Sequence, residues 1–347
     1  MPRSEYEFEF PEELVAAAPA ADRDASRLLV VRRAGGLEHR TFRELPSLLS
    51  PGDCVVLNRS KVVPARLVGR KTTGGAAELL VIAESAPGLW TALCNGLKPG
   101  VRLEFGLGVT ADVESRTPEG TWLVRFSTPE VRALLEAVGL PPLPPYIRSR
   151  RRRSGAPASG AEDKARYQTV YAREPGSLAA PTAGLHYSAE VLAALAARGV
   201  ATAELVLHVG LGTFRPIVAE DARLHEMLPE RYEVPAAAAE TIKAAKARGG
   251  RVVAVGTTAT RTLETVFAKG VGVGPAAPLS GETSLYILPG HMFKAVDVLQ
   301  TNFHQPASTP LLLACAFAGK ERLFDAYWEA VAKRYRLFSY GDAMLIL

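Results

Sequence analysis

The chain has 347 residues, 48% of them hydrophobic, which supplies a sizeable core and fits about two domains. Its three widely spaced cysteines, Cys54, Cys94 and Cys315, exclude a zinc-type spacing and a disulfide framework and point to a reducing compartment; no apolar run approaches a membrane span. A net charge of +5 permits an anionic partner such as nucleic acid without requiring one.

Taken in order, the chain opens on an acidic segment, MPRSEYEFEFPEEL, with no apolar leader core, so the expected location is cytoplasmic. RLLVVRR and GDCVVLNRS read as strands flanking a Pro-capped segment from Leu45 to Pro51, and Asn58-Arg59-Ser60 closes the second as a polar loop. From Ala65 to Thr128 the apolar runs become short and alternating, with frequent glycine turns, the pattern of an antiparallel barrel. Pro129 to Gly139 reads as a helix and Leu140 to Tyr146 as a stiff extended segment. The basic stretch that follows, residues 148–165, reads as a mobile loop. Its Arg148, Arg150, Arg151, Arg152 and Arg153 fit either a solvated linker or an arm for phosphates.

Residues 167–216 form the centre of the reading. Ser177 to Gly184 is almost free of bulk, which lets backbone amides approach a ligand. Ser188 is placed to cap a helix whose apolar stripe is Val191, Leu192 and Leu195, and Gly199 stops it. Leu205 to Val209 is a buried-strand run broken by Gly210-Leu211-Gly212-Thr213. His186 thus falls at a helix start and His208 at a strand end; alone, His208 fits a hydrogen-bonded core residue as well as a catalyst.

Beyond it, Pro235 to Arg248 reads as an Ala-rich helix. Arg251 to Glu264 reads as a strand, a turn and a helix, with Thr258 and Arg261 either capping it or binding an anion. Tyr286 to Leu288 and Val296 to Leu299 read as strands, and Leu311 to Ala318 and Arg322 to Lys333 as helices. The expected fold is α/β: a mostly parallel sheet with helices over residues 1–64 and 146–347, and a small antiparallel β-barrel inserted at 65–145. No dinucleotide glycine motif, phosphate loop, nucleophile elbow or zinc cluster is present. Spacing alone stops at a polar site at strand ends holding His186, His208, His304, Glu230, Thr258, Arg261 and Asn302.

The segments PARL (64–67), LPPYI (143–147), RYQTVYAREPGSLAAPTAGLHY (166–187), LHVGLGTFRP (207–216), VAVGTTATRTLE (253–264), TNFHQPAST (301–309) and YRLFSYGDAMLI (335–346) resemble the S-adenosylmethionine:tRNA ribosyltransferase-isomerase family of queuosine biosynthesis. The resemblance implies an α/β domain with an inserted barrel. It also implies transfer of the ribosyl part of S-adenosylmethionine, as co-substrate and with no metal, to the aminomethyl group of a 7-deazaguanine in tRNA, with release of adenine and methionine to leave epoxyqueuosine. Such chemistry needs a base for a proton beside the sulfonium and donors to the departing adenine. His186 and His304 are the expected catalytic groups, with His208 and Glu230 accessory. Thr182, Ala183, Gly184, Leu185, Tyr187, Gly210, Gly212, Thr213, Phe214, Thr257, Thr258, Arg261, Thr301 and Asn302 are expected to bind substrate, in a monomer that takes tRNA. The chain departs from the family pattern at Arg59, Ala76, Asn95 and Leu228, the last replacing a histidine. These departures leave room for a relative using the same donor on a small molecule, or for a non-catalytic binding protein.

Overall fold

The computed structural model describes residues 1–94, 96–160, 162–273 and 279–347, apart from the side chains of Thr213, Phe214 and Val273; Asn95 lies outside the described residues. The strands in chain order are β1 (Arg27–Val31), β2 (Leu37–Thr41), β3 (Cys54–Asn58), β4 (Ser60–Val62), β5 (Arg66–Lys71), β6 (Ala76–Ala86), β7 (Leu89–Leu93), β8 (Arg102–Glu104), β9 (Thr110–Arg116), β10 (Trp122–Phe126), β11 (Glu174–Ser177), β12 (Ala201–Leu207), β13 (Glu230–Glu233), β14 (Val252–Val255), β15 (Ser280–Thr283), β16 (Val298–Asn302) and β17 (Ala343–Ile346). The chain divides into two compact units, one of residues 1–61, 144–158 and 166–347, the other of residues 62–143 and 159–165.

In the larger unit, nine of the described strands form one mixed sheet in the order β15, β13, β12, β3, β14, β16, β17, β1, β2. β12, β3, β14 and β16 run parallel at its centre. Those strands are buried on both faces, which explains their unbroken apolar runs. Along β3, Cys54 and Val56 pack into one core layer while Val55 and Leu57 pack into the other, and β14 divides Val252 and Ala254 from Val253 and Val255 in the same way. The helix Ala236–Ala247 turns Ala238, Ala239, Ile242 and Ala245 inward, so its small residues seat it close to the sheet.

The smaller unit is a closed six-stranded barrel, ordered β10, β7, β6, β5, β8, β9. Alternate positions such as Leu67, Leu79, Val81, Trp90, Leu103 and Val124 fill its interior, and the helix Val131–Val138 covers it with Val131, Leu134 and Leu135. Ala76 is exposed at the start of β6.

Two expectations change. Residues 145–153 are a helix, which takes in the end of the expected extended segment and the start of the expected mobile loop: Pro144 precedes it, Pro145 occupies its first turn, and four arginines end it where the dipole favours cations. Tyr286 to Leu288 joins no described strand. These residues pack beside the core, with Ile287 fully enclosed, so their apolar run reports burial and not sheet pairing.

Candidate active site

The carboxyl ends of β14 and β16, with the turn after β12, open onto a cavity of about 380 Å³, the position where parallel strands leave a crevice. β16 delivers Thr301 and Asn302, followed by His304. After β14 the helix Gly256–Val266 delivers Thr257, Thr258 and Arg261. Gly256 adopts φ +85°, and a side chain there would also meet Ala183 Cβ at 3.2 Å, so this tight strand-to-helix turn requires glycine. Asn58, buried at the end of β3, ties the turn to the sheet. Its Nδ2 donates to the Leu207 carbonyl at 3.0 Å and to Thr258 Oγ1 at 3.3 Å, and its Oδ1 accepts the Leu207 and Ser60 amides.

Of the expected site residues, Thr182, Ala183, Gly212, Glu230, Thr257, Thr258, Arg261, Thr301, Asn302 and His304 line this cavity. His304 accompanies Thr301, its Nε2 2.8 Å from Thr301 Oγ1, while its backbone amide donates to Tyr327 Oη at 2.6 Å. Burial pushes the His304 pKa down to about 3, so the imidazole is neutral near pH 7. Glu230 forms a buried ion pair with Arg261 and accepts the Gly210 amide at 2.9 Å.

His186 stands behind the wall and not on it. It ends the 3₁₀ turn Thr182–His186, and its ring nitrogens meet Ser26 Oγ at 2.7 Å and Asn302 Nδ2 at 2.9 Å. Its pKa falls to about 3, through burial first and then the nearby Arg336 and Arg23 charges. Gly184 has no room for a side chain, since a Cβ would meet Tyr171 Oη at 1.9 Å, and Tyr187 packs on Phe42. Leu185 offers its carbonyl to Arg23 at 3.1 Å. His208 also lies off the cavity, packed against Gly176, with its pKa lowered chiefly by burial. The side chains of Thr213 and Phe214 lie outside the described residues.

The departures sort differently. Leu228 lines the cavity and packs over Gly212, whereas Arg59 reaches Glu174 at 3.4 Å and Glu204 at 3.7 Å. In the basic helix, Arg151 is buried with its Nε on the Ala17 carbonyl at 2.8 Å, and Arg153 pairs with Glu12. Arg152 is exposed, while Arg148 and Arg150 are half-buried.

Sequence reasoning missed several wall residues. Tyr146 and Ser339 share a hydrogen bond at the cavity, and Ala307 and Phe338 border it with φ of +46° and +69°. A left-handed non-glycine residue costs on the order of 1–3 kcal/mol, and such strain gathers at functional sites. The LPPYI and FSYGDAM segments contained the signal for Tyr146, Phe338 and Ser339; Ser26 had none. Among the described residues no group of three or more His, Cys, Asp or Glu side chains is arranged to hold a metal, and no helix is long and apolar enough to cross a membrane.

A family model described as "queuosine biosynthesis protein" matches residues 3–346. The S-adenosylmethionine:tRNA ribosyltransferase-isomerase of Anaeromyxobacter sp. (strain K) is 51% identical over 354 residues, covering 99% of each chain, and that of Moorella thermoacetica is 51% identical over 351 residues with the same coverage. A crystal structure of S-adenosylmethionine tRNA ribosyltransferase from Thermotoga maritima is 37% identical, superposes with a TM-score of 0.55, and is matched over 99% of this chain and 100% of that one. With six of its seven segments of resemblance contributing to one cavity and its likeness running from end to end, this chain belongs to the S-adenosylmethionine:tRNA ribosyltransferase-isomerase family.

Proposed function

We infer that this protein transfers and isomerises the ribosyl part of S-adenosylmethionine onto the aminomethyl-7-deazaguanine base of tRNA, releasing adenine and methionine. The observation that carries this reading is end-to-end likeness at about half identity to enzymes of that name, in a chain where six of the seven segments of resemblance contribute to one cavity. The same likeness favours tRNA over a small-molecule acceptor and over a non-catalytic role.

The cavity suits the donor in size and chemistry. Its volume falls within the usual range for small-molecule sites, and its lining includes the hydroxyl residues Thr182, Thr257, Thr258 and Thr301 beside Asn302, whose buried Oδ1 has no partner among the described residues. His304 is the side chain we assign to proton transfer. It borders the cavity in the unprotonated form a base starts from, with Thr301 orienting the ring; burial weakens it as a base, so the positive sulfonium beside the carbon must drive the transfer. The Glu230–Arg261 pair holds the turn at Gly210 and keeps a carboxylate at the wall without a net local charge. Thr257 and Thr258 supply hydroxyl donors for the departing adenine.

A cytoplasmic monomer completes the proposal. The buried free thiols Cys54 and Cys315 suit a reducing compartment; sedimentation at a mass other than 37.1 kDa would overturn the monomer. The donor site is tested by titration calorimetry with S-adenosylmethionine. Saturable heat that Thr258→Val weakens is expected, and no heat from the folded wild-type protein would remove the site.

A further inference from the structure

Four groups at and behind the cavity wall determine one another's hydrogens. Asn302 closes β16, and its Nδ2 lies 2.9 Å from His186 Nε2 and 3.4 Å from the Phe338 carbonyl oxygen. A carbonyl oxygen only accepts, so the amide nitrogen must occupy that side of the carboxamide. The other atom, Oδ1, is buried and has no partner among the described residues, and Asn302 lines the cavity.

The same logic sets the imidazole. Because His186 Nε2 receives the Asn302 hydrogen, its own hydrogen is on Nδ1, directed at Ser26 Oγ 2.7 Å away. Ser26 in turn donates to the Arg23 carbonyl at 3.3 Å. Donation therefore runs one way, from Asn302 to His186 to Ser26 to Arg23. Phe42 packs at 5.2 Å from the His186 ring, and Phe338 keeps its left-handed backbone where its carbonyl meets Asn302.

Resting on the function proposed above, the geometry points to Asn302 Oδ1 as the acceptor of a hydrogen bond from an O–H or N–H of the nucleoside part of S-adenosylmethionine, and to His186 and Ser26 as positioning residues that hold it in that orientation. A histidine with both nitrogens engaged behind an asparagine has no line to a reacting carbon. Its chemical contribution is the direction of an amide. Turning that amide over would set Oδ1 against the Phe338 carbonyl oxygen, two acceptors face to face, and would call for the Nε2–H tautomer of His186, so the Phe338 carbonyl selects the orientation and the His186 tautomer follows it.

The test replaces His186 by Gln and by Ala, and Asn302 and Ser26 by Ala, and measures kcat and KM for S-adenosylmethionine with acceptor tRNA. Gln presents a carbonyl oxygen that can still receive the Asn302 hydrogen. Its kcat/KM is expected to remain within about threefold of wild type, whereas His186→Ala and Asn302→Ala lose about ten- to a hundredfold, the cost of an unmade buried hydrogen bond. Ser26→Ala is expected to fall between Gln and Ala at position 186. Gln failing as badly as Ala would make His186 a proton-transfer group and overturn the assignment. Donor analogues lacking a ribose hydroxyl or the adenine amine identify the ligand atom: the penalty for one of them should vanish in Asn302→Ala, and penalties that all persist there would overturn the acceptor role. A measurement on the unaltered protein keeps the idea testable if variants misfold. ¹⁵N NMR of the His186 ring should show the Nδ1–H tautomer, and an Nε2–H tautomer would break the chain. Wild-type protein inactive on tRNA would count against the proposed function, while the tautomer result would still judge the hydrogen-bond chain separately.

Discussion

Glu230 and Arg261 are locked together inside the protein: one carboxylate oxygen takes an Arg261 Nη1 hydrogen while the other takes the Gly210 amide at 2.9 Å. Arg261 also donates through Nε to the Leu285 carbonyl at 2.8 Å and through Nη2 to the Thr283 carbonyl at 3.1 Å. Removing one partner of such a pair leaves a buried charge alone, which costs about 3–5 kcal/mol. Arg261→Ala should therefore lower stability by about that amount in urea denaturation, and Glu230→Gln, which keeps an acceptor for Gly210, by less. A change below about 1 kcal/mol for Arg261→Ala would show that water reaches the pair.

His304 and His208 should separate cleanly. His304 borders the cavity, whereas His208 packs against Gly176 away from it. His304→Ala is expected to reduce kcat by about a hundredfold or more with little change in melting temperature. His208→Ala should leave kcat nearly intact. Equal loss of stability and activity in His304→Ala would assign that ring a packing role.

The legibility of this chain follows physical range. Central strands such as β3 and β14 are buried on both faces, so their apolar runs were readable, and the barrel's alternation was readable because one face of each strand is wet. The Ser188 cap was local too, and its Oγ accepts the Val191 amide at 3.2 Å. What escaped was long-range. Ser26 and His186 are 160 residues apart in sequence and His186 and Asn302 are 116 apart, and no spacing rule reports that one histidine meets the cavity while another stands behind it. The basic helix was misread for a different reason: charge density suggested mobility, although arginine is a good helix former and Arg151 has an internal partner.

His186 and His304 also set an acid limit on stability. Burial lowers both from 6.5 to about 3. As pH falls, the unfolded chain takes up these protons near 6.5 and the folded protein only near 3. Their stabilisation is thus complete above about pH 6.5 and is lost progressively below it. The denaturation midpoint should fall between pH 7 and pH 4, and His186→Gln should show a shallower fall. Identical pH slopes for the two proteins would mean that His186 is charged when folded.

The basic helix offers Arg150 and Arg152 for phosphates, because Arg151 and Arg153 are already engaged. Replacing both with Gln should weaken tRNA binding and lower the slope of log affinity against log salt by about one unit per lost contact. An unchanged slope, measured by filter binding across a salt series, would leave these arginines as solvated residues.

The central claim is that one cavity couples donor breakdown to a tRNA acceptor, and adenine release measures it most directly. Purified protein is incubated with S-adenosylmethionine alone, with tRNA carrying the aminomethyl-7-deazaguanine base, and with the same tRNA carrying guanine, and free adenine is quantified by chromatography. Adenine should appear in step with modified tRNA only, and disappear in His304→Ala. Adenine released equally without that base, or never released by folded protein with all components present, would contradict the account.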